Sequence, residues 1–164
     1  MDKCSFNEIV FCKHRGSYMI ECKNISGYED IYNLLNEYSN IFPNLSQRVI
    51  YNEFAQKLEA FADVYVLCVD GKNAGMIAFY SNDEIGKTAY ITLIGVKKNF
   101  RNLGLGKQLL KFCESVSIEK GFTKIKLEVN KLNETAIRFY IRNGFSQISQ
   151  DEKSLYMMKE LENK

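Results

Sequence analysis

Proline occurs once in these 164 residues, as Pro43, and histidine once, as His14. The five cysteines, at 4, 12, 22, 68 and 113, are odd in number and contain no CxxC pair, which fits neither a disulfide framework nor a zinc site. No metal is expected, and free thiols point to a reducing cytoplasm. No window approaches the ~18 consecutive apolar residues of a membrane span, and the first sixteen residues carry no apolar stretch of signal-peptide type. Nor is there an excess of one charge: 22 basic against 20 acidic side chains leave +2, which argues against wholesale attraction to nucleic acid or membrane.

What is present is 46% hydrophobic and 26% charged sequence, the balance of a globular protein of one-domain size. We therefore expect a single domain over 1–164. Two short strands, within "NEIVFCK" and "SYMIECK", flank the turn "HRGS". Ile31, Leu34, Leu35 and Tyr38 recur at helical spacing, which predicts a helix over 28–39. Ser46 is placed to cap a second helix with the stripe Ile50, Phe54, Leu58 and Phe61. "DVYVLCVDGKNAGMIAFYSN" reads as a hairpin about "DGKN", and "TAYITLIGV" as a central strand. Leu105, Leu109, Phe112, Cys113 and Val116 line a helix that Gly121 ends, and "FTKIKLEVN" alternates as a strand. Strands 89–96 and 123–129 joined by that helix form a crossover, so they run parallel. A helix over 134–143 and a hairpin about "QDEK" complete the chain.

Between strand and helix lies "FRNLGLGKQLL", with Lys97, Lys98, Arg101, Lys107 and Lys111 around two glycines. Such a turn suits an anion, since helix-start amides point outward and the dipole adds about half a positive charge. A triphosphatase loop would need glycine at 101 and a hydroxyl at 108, where Arg101 and Gln108 stand. A dinucleotide fingerprint would need a third glycine at 109, which is Leu109.

The pattern that does fit is R-x-x-G-x-G at 101–106, followed by "LEVNKLNETAIRFYIRNGF", with Asn133, Ala136, Tyr140 and Gly144-Phe145 in series. Over roughly residues 89–147 the chain resembles the GNAT superfamily of N-acetyltransferases. The resemblance implies an α+β fold: a mixed, mostly antiparallel sheet of about six or seven strands flanked by helices, the family's fourth and fifth strands parallel. It implies acetyl-CoA as cosubstrate. The pyrophosphate would lie on Arg101, Asn102, Leu103, Gly104, Leu105, Gly106 and Lys107, and the pantetheine arm along Ile94, Gly95 and Val96. Asn133 would contact the same arm, and it also stands where a helix cap belongs.

Acyl transfer to an amine needs a base, an oxyanion site and a proton for the thiolate. Glu128 is the candidate base, by similarity to the L-E-V-x-x-x-N stretch of ribosomal-protein alanine N-acetyltransferases. A water relay is the other route, and a solvated carboxylate pairing with Lys126 is the plain alternative. The resemblance makes Tyr140 the proton donor to the sulfur, against the alternative of a core aromatic beside Phe139. Cys68 and Cys113 read as core residues rather than acyl carriers, and His14 as a surface residue. The acceptor, an amine of unknown identity, would approach past 38–45 and 150–155, where Asp151 and Glu152 suit a cation. A non-catalytic coenzyme A-binding module is the competing function, and a homodimer is left open.

Overall fold

A computed structural model of the chain describes residues 9–13 and 18–162, with the backbone alone for 9–13. His14, Cys4 and the turn at 14–17 lie outside the described residues. The elements are β1 (Ile9–Lys13), β2 (Tyr18–Asn24), α1 (Tyr28–Glu37), α2 (Leu45–Arg48), α3 (Tyr51–Phe61), β3 (Ala62–Val69), β4 (Lys72–Asp83) and β5 (Thr88–Val96). After a single 3₁₀ turn, Lys98–Phe100, come α4 (Leu105–Glu119), β6 (Lys124–Asn130), α5 (Glu134–Arg142), β7 (Ser146–Gln150) and β8 (Ser154–Glu160).

Hydrogen-bonded neighbours follow the order β1-β2-β3-β4-β5-β6-β8-β7, giving eight strands, with β1 at one edge. The mixed sheet flanked by helices that the resemblance implies is thus present, with eight strands where about six or seven are expected. Its chain divides into two compact units: the described residues of Met1–Ala78 with Leu93–Leu109, and those of Phe79–Thr92 with Leu110–Lys164.

In the first unit β2 pairs antiparallel with β1 and with β3. β3 and β4 are joined by two residues, Asp70 at φ 49° and Gly71 at φ 76°. Positive φ at both positions is the type I′ turn that "DG" announces, and its twist matches the strands it joins. α1 buries Ile31, Leu34 and Leu35, as its helical stripe predicts, while α3 buries Phe54 and Leu58 of the expected stripe together with Ala55. Each such aliphatic or aromatic side chain contributes about 1.5–3 kcal/mol by leaving water.

The single helix expected from Ser46 to Phe61 is two. Val49 (φ −140°, ψ 150°) and Ile50 (φ −87°, ψ 121°) are extended, so α2 stops at Arg48 and α3 starts afresh at Tyr51. Two consecutive β-branched residues lose rotamer freedom in a helix and favour the extended backbone. Ser46 consequently sits inside α2 rather than capping it, and Ile50 and Phe61, each 61% exposed, drop out of the buried stripe.

In the second unit β5 pairs parallel with β6, Thr88 opposite Lys124 through Ile91 opposite Leu127, as the crossover requires. β6 then pairs antiparallel with β8 along its whole length, and β7 covers the outer edge of β8 with a bulge between Gln147 and Ser149. The alternation of β6 is realised: Ile125, Leu127 and Val129 are buried and Lys124, Lys126 and Glu128 are not. Among the described residues no helix is long and apolar enough to cross a membrane.

One polar group in α4 is a cost. Ser117 is fully buried and its Oγ has no hydrogen-bond partner among the described residues. A buried unpaired hydroxyl destabilises by about 1–3 kcal/mol, and alanine is also the better helix former. Ser117→Ala is expected to raise the unfolding free energy by about 1 kcal/mol in denaturant titration; a loss of stability would mean the hydroxyl is satisfied.

Candidate functional site

In the first unit β5 ends at Val96 and the chain turns through Lys98–Phe100 and an extended Arg101 (φ −71°, ψ 162°). Asn102 (φ 64°) and Gly104 (φ 75°) then reverse it into α4. Both lie in the left-handed region, which asparagine tolerates and glycine occupies without steric cost. A Cβ built at Gly104 would meet nothing within 4 Å, so the backbone conformation, not crowding, demands glycine, and the space beside it is open.

The first helical hydrogen bond of α4 is Gln108 N–H to Gly104 O at 3.2 Å. The amides of Leu105, Gly106 and Lys107 precede it and have no acceptor within the helix. Leu105 anchors the turn by burying its side chain, while Leu103 is half-exposed. Arg101 folds back, its Nε donating to Val96 O at 3.3 Å. A pyrophosphate fits this donor set: main-chain N–H groups, a helix start, and no side chain at the closest approach.

Behind the turn the packing is tight. A Cβ at Gly95 would stand 2.7 Å from Ile41 Cγ2 and 3.0 Å from Phe42 Cζ, so the segment after α1 lies directly on the backbone of β5. Lys97 donates to Glu37, with its ammonium 5.3 Å above the Tyr38 ring. The Tyr38 hydroxyl donates to Asn73, whose Nδ2 donates to Glu37 at 3.1 Å. Tyr38 is fully buried, and burial, then Glu37 and Cys68, push its phenol well above the usual range. Lys97, counted among the cations around the turn, is paired with Glu37; Tyr38 is buried, as the helical stripe of α1 predicts, and its hydroxyl joins the end of α1 to β4.

In the second unit Asn133 Oδ1 accepts from Ala136 N at 3.1 Å, the cap of α5 that its position suggested. Tyr140 is 8% exposed, with Phe139 and Phe145 edge-on at ring-centroid distances of 5.4 and 5.7 Å. Burial pushes its phenol up to about 12. Glu128 is half-buried on β6 and its Oε1 accepts from Ser154 Oγ at 2.6 Å. Tyr156 stands directly opposite Glu128 across the β6–β8 ladder.

The turn between β7 and β8 is built on one carboxylate. Asp151 Oδ1 accepts from the amides of Lys153 (2.8 Å) and Ser154 (2.7 Å), and Oδ2 accepts from the Tyr156 hydroxyl at 2.8 Å. These bonds, the Tyr156 one foremost, hold Asp151 below the usual carboxylate range, and the same bond pushes Tyr156 up to about 12. Asp151 therefore organises its own turn. The signal was legible as an Asp two and three residues before amides in a tight loop, an Asx turn. Ser154, which sequence reasoning passed over, had no such signal, because only strand register sets it beside Glu128.

Among the described residues Cys22, Cys68 and Cys113 are buried and in no disulfide. Burial, with Cys68 adding to it, pushes the Cys22 thiol up to about 12, and burial also raises Cys68, so neither is a thiolate at neutral pH. Among the described residues no group of three or more His, Cys, Asp or Glu is placed to hold a metal ion.

For Tyr140 the sign of the linkage is definite. Burial disfavours the phenolate, so its contribution to stability is intact below the unfolded value of ~10 and is lost as pH rises towards about 12. Ultraviolet difference titration against Tyr140→Phe should show this phenolate forming near pH 12; formation near 10 would mean a hydrated ring.

Comparison with known proteins bears on the family and the fold. The model of the acetyltransferase (GNAT) family matches residues 28–145. An uncharacterised N-acetyltransferase in the pepI 3′ region of Lactobacillus delbrueckii subsp. lactis is 34% identical over 91 residues, 52% of this chain and 53% of that protein. The chain spans about half the length of the curated relatives it matches. Among solved structures, the PaiA N-acetyltransferase of Thermoplasma acidophilum in complex with coenzyme A superposes with a TM-score of 0.67 at 19% identity, over 86% of this chain and 98% of that one. The ribosomal-protein-S18-alanine N-acetyltransferase of Escherichia coli does so at 0.69 and 19%, over 89% and 96%. With the family model covering most of its length, the chain belongs to the GNAT acetyltransferase family.

Proposed function

We propose that residues 1–164 act as one acetyl-CoA-dependent N-acetyltransferase domain, moving an acetyl group to a primary amine by direct attack in a ternary complex. The observation that carries this reading is the turn at 101–107. Gly104 at φ 75° leaves open space at the start of the fifteen-residue α4, where three amides lack helical acceptors. Those amides would hold the cosubstrate's pyrophosphate, and the backbone at Ile94, Gly95 and Val96 its pantetheine arm. The cosubstrate supplies a thioester, whose carbonyl the amine attacks.

Glu128 is assigned the proton of the incoming ammonium, whose ordinary pKa of ~10.4 keeps it charged at neutral pH. Tyr140 is assigned the departing sulfur. A phenol raised to about 12 lies roughly 3.5 units above an ordinary thiol, about 5 kcal/mol for complete transfer to a hydrated thiolate. Tyr140 thus serves best as a hydrogen-bond donor while charge develops on sulfur, in surroundings that also disfavour a bare thiolate. Its neutral form is fully populated at neutral pH, which a donor requires. Three buried cysteines outside any disulfide among the described residues support a reducing cytoplasm.

The test is thiol release from acetyl-CoA across a panel of amines and amino-terminal peptides. Tyr140→Phe and Glu128→Gln are each expected to lower kcat by about 10²–10⁴-fold. Gly104→Ala, strained at positive φ by about 1–2 kcal/mol, is expected to raise KM for acetyl-CoA. Full activity in both proton variants would remove these assignments. Stabilisation by coenzyme A against heat, with no turnover of any amine, would favour the non-catalytic binding module instead.

A further inference from the structure

We infer that Ser154 is a positioning residue that holds the carboxylate of Glu128 in place for proton abstraction, an inference that rests on the reading of Glu128 as base. The two side chains come from different strands. Register sets Glu128 opposite Tyr156 and Asn130 opposite Ser154, so Glu128 and Ser154 share one face as a diagonal pair. Long side chains reach such a neighbour. The hydroxyl donates to Oε1 at 2.6 Å, the length expected of a hydroxyl on a carboxylate.

Nothing else in the turn requires that hydroxyl. Asp151 is bonded to the Ser154 amide, and the Asp151 amide to the Ser154 carbonyl at 3.0 Å, both main-chain groups that any residue but proline would supply. The side chain is nevertheless a polar one at 7% exposure. Packing alone would accept alanine there, so the hydroxyl's use is its bond to Glu128. A glutamate has three side-chain torsions to order, and a base displaced by about 1 Å loses much of its advantage. Ser154 is itself well fixed to do this: its main chain is clamped by the Asp151 carboxylate, which also anchors Tyr156, the residue facing Glu128.

The groups around Glu128 include Ser154 by hydrogen bond, Tyr156 across the ladder, and Lys126 on its own strand face. The experiment is a double-mutant cycle on kcat and KM with any amine the enzyme turns over, accompanied by melting temperatures. Ser154→Ala is expected to lower kcat about tenfold with KM for acetyl-CoA unchanged, and Ser154→Thr, which keeps a hydroxyl on Cβ, to restore most of the rate. Ser154→Cys keeps the volume with a weak donor and should match Ser154→Ala, so it carries the test if the alanine variant does not fold. In a Glu128→Gln background Ser154→Ala should cost no further rate.

Parent-like rates for Ser154→Ala and Ser154→Cys, with Glu128→Gln impaired, would overturn the positioning role and leave the base in place. An additional loss on top of Glu128→Gln would also overturn it, since Ser154 would then act through another group. Full activity of Glu128→Gln would overturn the base and the positioning role together.

Discussion

Parallel pairing of β5 with β6 forces the chain to leave one end of a strand and return to the other, and α4 is the return path. A strand cannot feed a helix without reversing its direction within a few residues. Here the reversal uses two left-handed positions, Asn102 and Gly104, and the amides of α4 that precede Gln108 have no acceptor within the helix. The anion-binding capacity proposed for the turn would then be a by-product of topology, since every helix start has amides without helical acceptors. What is particular to this chain is the open space beside Gly104, with the side chains of Leu105 and Arg101 turned respectively into the core and back to the strand.

The first unit supports that turn through charge as well as packing. The Glu37, Asn73, Tyr38 and Lys97 side chains make a linked set joining the end of α1 to the start of β4 and the residue after β5. The partly exposed lysine–glutamate pair is worth little by itself, about 0–1 kcal/mol. The fully buried tyrosine contributes through its area and through the direction it imposes on its hydroxyl. In the second unit the same economy recurs. The Asp151 carboxylate accepts three hydrogen bonds and so orders the β7–β8 turn, Tyr156 and the main chain of Ser154 at once.

The environment of Tyr140 is structural, and it also meets the requirement of the donor role proposed for that residue. Two edge-on phenylalanines hold the ring in the second unit's apolar interior, and that burial keeps the phenol protonated far beyond neutral pH. The structure bears out the core-aromatic reading, and the hydrogen-bond-donor role proposed for the hydroxyl does not conflict with it: the ring packs and the hydroxyl stays neutral.

Sequence alone determined the periodic elements. Alternation in β6, the helical stripes of α1 and α4, the Asp70-Gly71 hairpin and the crossover all follow from spacings of two, 3.6 and from turn chemistry, which are local physics. The turn at 101–107 was legible for the same reason, because glycine demand is a property of backbone torsion. Local reasoning failed where neighbours in space override it. The break at Val49–Ile50 interrupts a good helical stripe, and Lys97, one of the cations around the turn in sequence, is paired in space with Glu37. Tertiary structure alone decided the insertion of β8 between β6 and β7, and with it the meeting of Ser154 and Glu128, twenty-six residues apart. Strand register is set by side chains packing across a sheet, and no property of either residue's own segment encodes its partner.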